Sequence, residues 1–185
     1  MRGHSTVLLA IGFFFLAFGF IAFNAGSLYR ASDGASNHLG KVVVNTICSS
    51  AGAALTALFV KKLTSKKLSV IATINGGLAG FVSICSGADV VEPYGSLVIG
   101  AVSGLVFLGF SNLLMRLDID DPLDACPVHL GGGAWGLIAT GLLSSSTGLF
   151  YTGDFRQLGM NVMGVLVIVA WSCKPHTPQN QRQNH

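Results

Sequence analysis

Apolar stretches long enough to cross a lipid bilayer occupy most of this chain, near Val7 to Phe23, Val42 to Val60, Leu68 to Cys85, Leu97 to Leu114, Ala125 to Leu143 and Leu158 to Ser172. Each comes close to the roughly 17 to 25 residues that a membrane-spanning helix needs, the last being the shortest. In hydrocarbon every backbone N–H and C=O must find its partner within the protein, so only helices and closed barrels can span. Barrel strands would alternate apolar and polar residues in segments of about ten, and no such alternation occurs here. Charged residues make up 10% of the chain, against about 25% in ordinary soluble domains. A water-soluble surface could not be built from so few. The chain reads as an all-α, polytopic transmembrane helical bundle of about six spans.

The glycines and cysteines fit that solvent. Gly76, Gly77 and Gly80, Gly100 and Gly104, and Gly131, Gly132, Gly133 and Gly136 would weaken soluble helices, but in a bilayer small residues let helix backbones approach closely. Cys48, Cys85, Cys126 and Cys173 are scattered without metal-ligand spacing, so buried thiols are expected and no metal or cofactor. The run after Met1-Arg-Gly-His-Ser exceeds the 7 to 15 apolar residues of a signal peptide, which predicts a retained span.

Charge sets the expected orientation. With a cytoplasmic amino terminus, Arg2, Lys61, Lys62, Lys66, Lys67, Arg116, Lys174 and Arg182 fall inside, and only Arg30, Lys41 and Arg156 outside. That asymmetry satisfies the positive-inside bias and places both termini in the cytoplasm. The Lys61 to Lys67 loop dominates the balance as a topology signal, a lipid-headgroup site being the alternative. Residues 1–172 form the predicted membrane domain, and residues 173–185 a polar tail without helical period, expected to be disordered.

One histidine stands out. Asp121-Pro122-Leu123-Asp124 carries helix-start signals: an aspartate as cap, proline at the first helical position, and a second acid to satisfy exposed amides. His129 follows, roughly 12 Å into a hydrocarbon layer about 30 Å thick. Helical spacing puts Gly132, Gly133 and Gly136 on its face. Ionisable groups at such depth are costly and mark solute pathways, so an imidazole over a side-chain-poor strip suits a narrow passage with one proton acceptor or donor. The first span ends in Phe23-Asn-Ala-Gly-Ser27, which can set a ring beside a hydroxyl and hold a small cation. Asn45 and Asn75 lie within spans and need partners across helices. A hydrolase using Ser103 with His129 as base is disfavoured, because Ser103 sits in a glycine-spaced packing strip and nothing marks an oxyanion site.

Five motifs then occur in one order: Phe23-Asn-Ala-Gly-Ser27, Val44-Asn-Thr46, Asn75-Gly-Gly-Leu-Ala-Gly80 with Val82-Ser-Ile84, Ile119-Asp-Asp-Pro-Leu-Asp-Ala125, and Val128-His-Leu-Gly-Gly-Gly-Ala-Trp-Gly136. In this the chain resembles the Amt/Mep/Rh ammonium transporters, closest to their eukaryotic Amt branch. The resemblance implies ammonium or ammonia as the transported species, no enzymatic activity, a multi-pass plasma-membrane location in contact with lipid, and no nucleic-acid partner. It also implies a homotrimer of subunits, each with its own pore between two inverted halves of five spans. By the same resemblance Phe23 helps gate the outer mouth, Ser27 contacts recruited ammonium, and His129 is one of a pore pair of histidines. Asp121, Asp124, Asn75, Gly132, Gly133 and Trp135 take structural places near the pore. Matched to the family pattern, the chain corresponds to the second inverted repeat plus a shortened final helix. The expectation is a partial transporter, inactive alone for want of the first five spans. The alternative is a non-conducting subunit that associates with full-length transporters.

Overall fold

A computed structural model describes residues 5–28 and 36–172. Cys173, the 173–185 tail, Arg2, Arg30, Lys174 and Arg182 lie outside the described residues. The helices are α1 (Thr6–Gly26), α2 (Ser36–Ser65), α3 (Val70–Ile84), α4 (Pro93–Arg116), α5 (Gly132–Leu143, entered through a π-helical turn over Pro127–Gly131), α6 (Leu149–Thr152) and α7 (Arg156–Ser172). Helix therefore occupies each of the six apolar stretches. Among the described residues, Thr6–Gly26, His38–Ser65 and Pro93–Arg116 are long and apolar enough to cross a membrane, while Val70–Ile84 and Arg156–Ser172 are apolar but shorter. Strand pairing among the described residues is limited to one isolated bridge, Val91 with Ser144.

Local chemistry starts the helices where the apolar runs begin. The Ser5 hydroxyl accepts from the Leu8 amide at 3.3 Å and the Ser69 hydroxyl from the Ala72 amide at 3.2 Å, each satisfying an otherwise orphan donor. Pro93 opens α4, where its missing N–H costs nothing.

The bundle is centred on α2, α3 and α4, and glycine decides how close they come. A Cβ on Gly104 would lie 2.6 Å from the Ala53 carbonyl oxygen, and one on Gly52 would lie 2.7 Å from that of Leu97. Backbone thus meets backbone, as small residues permit between membrane helices. Two apolar clusters fill the seams. One gathers Val42, Ile84, Val91, Ile99 and Ala139; the other gathers Ala57, Ala79, Phe107, Leu108 and Val128. Outside this centre, α1 lies on α2 and α3 with Phe20 stacked on Phe81 at 5.4 Å. Asn24 is its only buried residue, and α7 buries none. In water such faces would aggregate; acyl chains are as apolar as they are.

Polar groups gather at the two ends. At one, Lys41 pairs with Glu92 at 2.8 Å, the Tyr94 and Tyr151 hydroxyls share a hydrogen bond, and the Ser145 amide donates to the Val90 carbonyl at 2.8 Å. That tyrosine bond holds the Tyr151 phenol above its ordinary range. The opposite end carries Lys61, Lys62, Lys66, Lys67 and Arg116.

Candidate functional site

The site is built on the helical segment over 125–143. Its start differs from the sequence expectation, which set Pro122 at the first helical position. Asp124 adopts a left-handed backbone (φ 53°), Pro122 and Leu123 form a turn, and helix begins at Ala125. Asp121 still caps it, across that turn, accepting from the Ala125 amide at 3.0 Å and the Cys126 amide at 2.8 Å. Asp124 does other work. Its carboxylate accepts from the Ser111 hydroxyl at 2.8 Å and the Asn75 amide at 3.2 Å, tying α3 and α4 to the foot of this helix.

The π-helical turn follows at once, with the Gly132 amide donating to the Pro127 carbonyl. Its i→i+5 bonds wind each residue through less angle than an α-helix does, and such bulges often mark functional sites. The consequence is a change of faces. Gly132 and Gly136 turn toward α3, where an added Cβ would meet Ala79 and Ser83 backbone. Gly133 stays with His129. The strip of three glycines expected beside the imidazole is therefore divided, two packing the helix down and one left open.

His129 and Gly133 line a groove of about 490 Å³ between three elements. Val82, Cys85 and Ser86 wall it from α3 and the residues just beyond; Leu130, Ala134 and Leu137 continue the His129 face; Val165, Ile168 and Val169 close the far side from α7. The imidazole is exposed, because the groove is open along one flank. Its walls are apolar apart from the imidazole, the Cys85 thiol and the Ser86 hydroxyl, which bonds Thr140 at 2.8 Å.

The other sequence-selected residues fall around this groove. Trp135 turns into the bundle and donates to the Ile99 carbonyl at 3.0 Å. Phe23 is 64% exposed at the end of α1. Ser27 caps that helix, its hydroxyl donating to the Phe23 carbonyl at 2.8 Å, which leaves the hydroxyl oxygen able to accept. Between them Asn24 is buried, donates to Thr46 at 3.0 Å, and reaches Cys85 in the groove wall. Asn45 donates to the carbonyls of Ala88 at 2.9 Å and Val91 at 2.6 Å. Sequence reasoning missed Asn24, whose partners Thr46 and Cys85 lie 22 and 61 positions away, and the α7 wall, where a residue facing a groove and one facing lipid are both apolar. The thiols also differ from expectation: Cys48, Cys85 and Cys126 are half-buried, not buried. Among the described residues no group of three or more histidine, cysteine or acidic side chains could hold a metal. Ser103 is wholly buried and accepts from Ser83 at 2.6 Å, far from the surroundings a nucleophile needs.

The profile of the Ammonium Transporter Family matches residues 1–175. The chain belongs to the ammonium transporter family. It is 40% identical to "Putative ammonium transporter 1" of Caenorhabditis elegans, over 92% of this chain and 35% of that protein. To "Ammonium transporter 1 member 1" of Solanum lycopersicum it is 38% identical, over 92% of this chain and 40% of that one. Solved structures agree. A protein described as "Sensor Amt Protein" superposes with a TM-score of 0.84 at 33% identity, covering 91% of this chain and 42% of that one. Candida albicans Mep2 does so with a TM-score of 0.85 at 29% identity, covering 91% and 39%. The chain thus spans 35–40% of the length of these curated relatives. This ammonium transporter family member is a membrane protein.

Proposed function

We propose that this chain forms one wall of a path for ammonium or ammonia across a membrane, with His129 as its proton-handling group. The observation that carries the reading is the open, apolar groove in which His129 is the one titratable base among the described residues. A bare cation entering such walls would lose its hydration without replacement, at a cost of several kcal/mol. Neutral ammonia would not. A neutral imidazole at that point accepts the proton, so that ammonium and imidazole become ammonia and imidazolium; the imidazolium then passes the proton on and returns to neutral, and ammonia and the proton cross by linked routes. Phe23 and Ser27 supply the outer contacts, a ring for cation-π attraction and a hydroxyl oxygen as acceptor. Asp121, Asp124, Asn75, Gly132, Gly133 and Trp135 hold the wall in shape. The reading includes a plasma-membrane location, cytoplasmic termini and assembly as a homotrimer.

A groove open on one flank needs a covering surface before it can conduct. Expressed by itself in cells without their own ammonium carriers, this chain is expected to give no ammonium-dependent growth. Co-expression with the five preceding spans of a relative is expected to restore it. Growth with this chain alone would overturn the need for a second wall, and no growth with both would overturn the ammonium assignment. The same open flank supports a second reading, a non-conducting subunit that joins full-length transporters; lowered uptake on co-expression with a complete carrier would favour it.

A further inference from the structure

We propose that the turn between α2 and α3 is a docking surface for anionic lipid headgroups. Four lysines meet there: Lys61 and Lys62 in the last turns of α2, and Lys66 and Lys67 just beyond. Lys66 takes a left-handed backbone (φ 54°), which turns the chain where α2 ends and the second pair stands. A fifth cation joins them by register. Gly104 lies against Ala53 and Thr56, and α2 and α4 run in the same direction, so an equal advance along both brings Arg116 level with Ser65. Among the described residues no ion pair neutralises any of the five.

Two of the acids at this end, Asp118 and Asp120, follow Arg116 closely in the chain. Asp121 and Asp124 lie further on, at the entry to the fifth span, which packs on α3 and α4. Both of these are already engaged, Asp121 with helix amides and Asp124 with Asn75 and Ser111. The four lysines and Arg116 outnumber Asp118 and Asp120, so the patch stays net positive, most of all on the α2 side.

Depth and apolar neighbours select the partner. At 30 residues, α2 is roughly 45 Å long against a hydrocarbon layer of about 30 Å, which puts its end turns among headgroups. Leu63, directly after the first pair of lysines, is 81% exposed, and Leu68, directly after the second, 66%. Leucines at that level enter the acyl boundary while lysine stems extend beside them and carry their charge to the phosphates. Anionic leaflets attract juxtamembrane lysine clusters in this way.

The test uses the full chain in detergent with phosphatidylserine and phosphatidylcholine of matched acyl chains, bound lipid being counted by native mass spectrometry. The chain is expected to retain phosphatidylserine about tenfold better than phosphatidylcholine, a preference lost in K61Q/K62Q/K66Q/K67Q and lowered by salt. K66Q/K67Q, which leaves α2 untouched, should lose part of it if the fourfold variant misfolds, and K41Q should lose none. Equal retention of both lipids would overturn the proposal, as would an undiminished preference in the lysine variants. An acidic peptide binding as tightly as phosphatidylserine would overturn it in favour of a protein partner.

Discussion

Single side chains carry the connections that fix the groove. Asp124 is one of them, because its carboxylate is the acceptor for both Ser111 and Asn75. Removing one acceptor leaves two donors with nothing to bond, so Asp124→Ala is expected to cost about 1–3 kcal/mol. Thermal melting in detergent measures this, and an unchanged midpoint would contradict the role. The divided glycines give a sharper contrast. A Cβ at Gly133 would rest at ordinary contact, 3.8 Å from Val82, whereas one at Gly136 would strike the Ser83 backbone. Gly136→Ala should therefore destabilise by about 1–3 kcal/mol, while Gly133→Ala should fold normally and narrow the groove. Parallel melting curves check the pair. At this scale the sequence shows a residue's local chemistry better than what it touches across helices. Asp121 was legible as a cap because capping chemistry is local. The bonds of Asp124 to residues 13 and 49 positions away were not.

Elements were the most legible level. A long apolar run has few choices in a bilayer, so all six stretches emerged as helix, although α2 starts six residues before its expected span and ends five after it. The exceptions are instructive. The π-helical turn at Pro127–Gly131 depends on which carbonyl each amide reaches, and nothing in composition or period encodes that. The four-residue α6, ended by Gly153 in a left-handed conformation (φ 71°), is too short to give a periodic signal. Between elements, the α2–α4 seam rests on backbone contact. Gly104→Leu would force those helices apart, because the Ala53 carbonyl oxygen sits 2.6 Å from where its Cβ would have to be, costing about 1–3 kcal/mol or more. Yield of the folded form and its melting midpoint should both fall; wild-type values for both would show the seam to be yielding.

For the whole molecule, the unusual property is an ionisable ring on an apolar groove that the described residues do not cover. Depth and family motifs made His129 legible from sequence, but its exposure could not be read there, since exposure depends on what else lies against the flank. That ring is the proposed proton acceptor of an ammonium path. Its most direct test is influx of labelled methylammonium into vesicles holding this chain with the five preceding spans of a relative, compared with the same assembly carrying His129→Ala. Loss of about tenfold or more in saturating influx is predicted, the scale on which a positioned acid–base group acts. Influx equal to that of the unaltered assembly would contradict it.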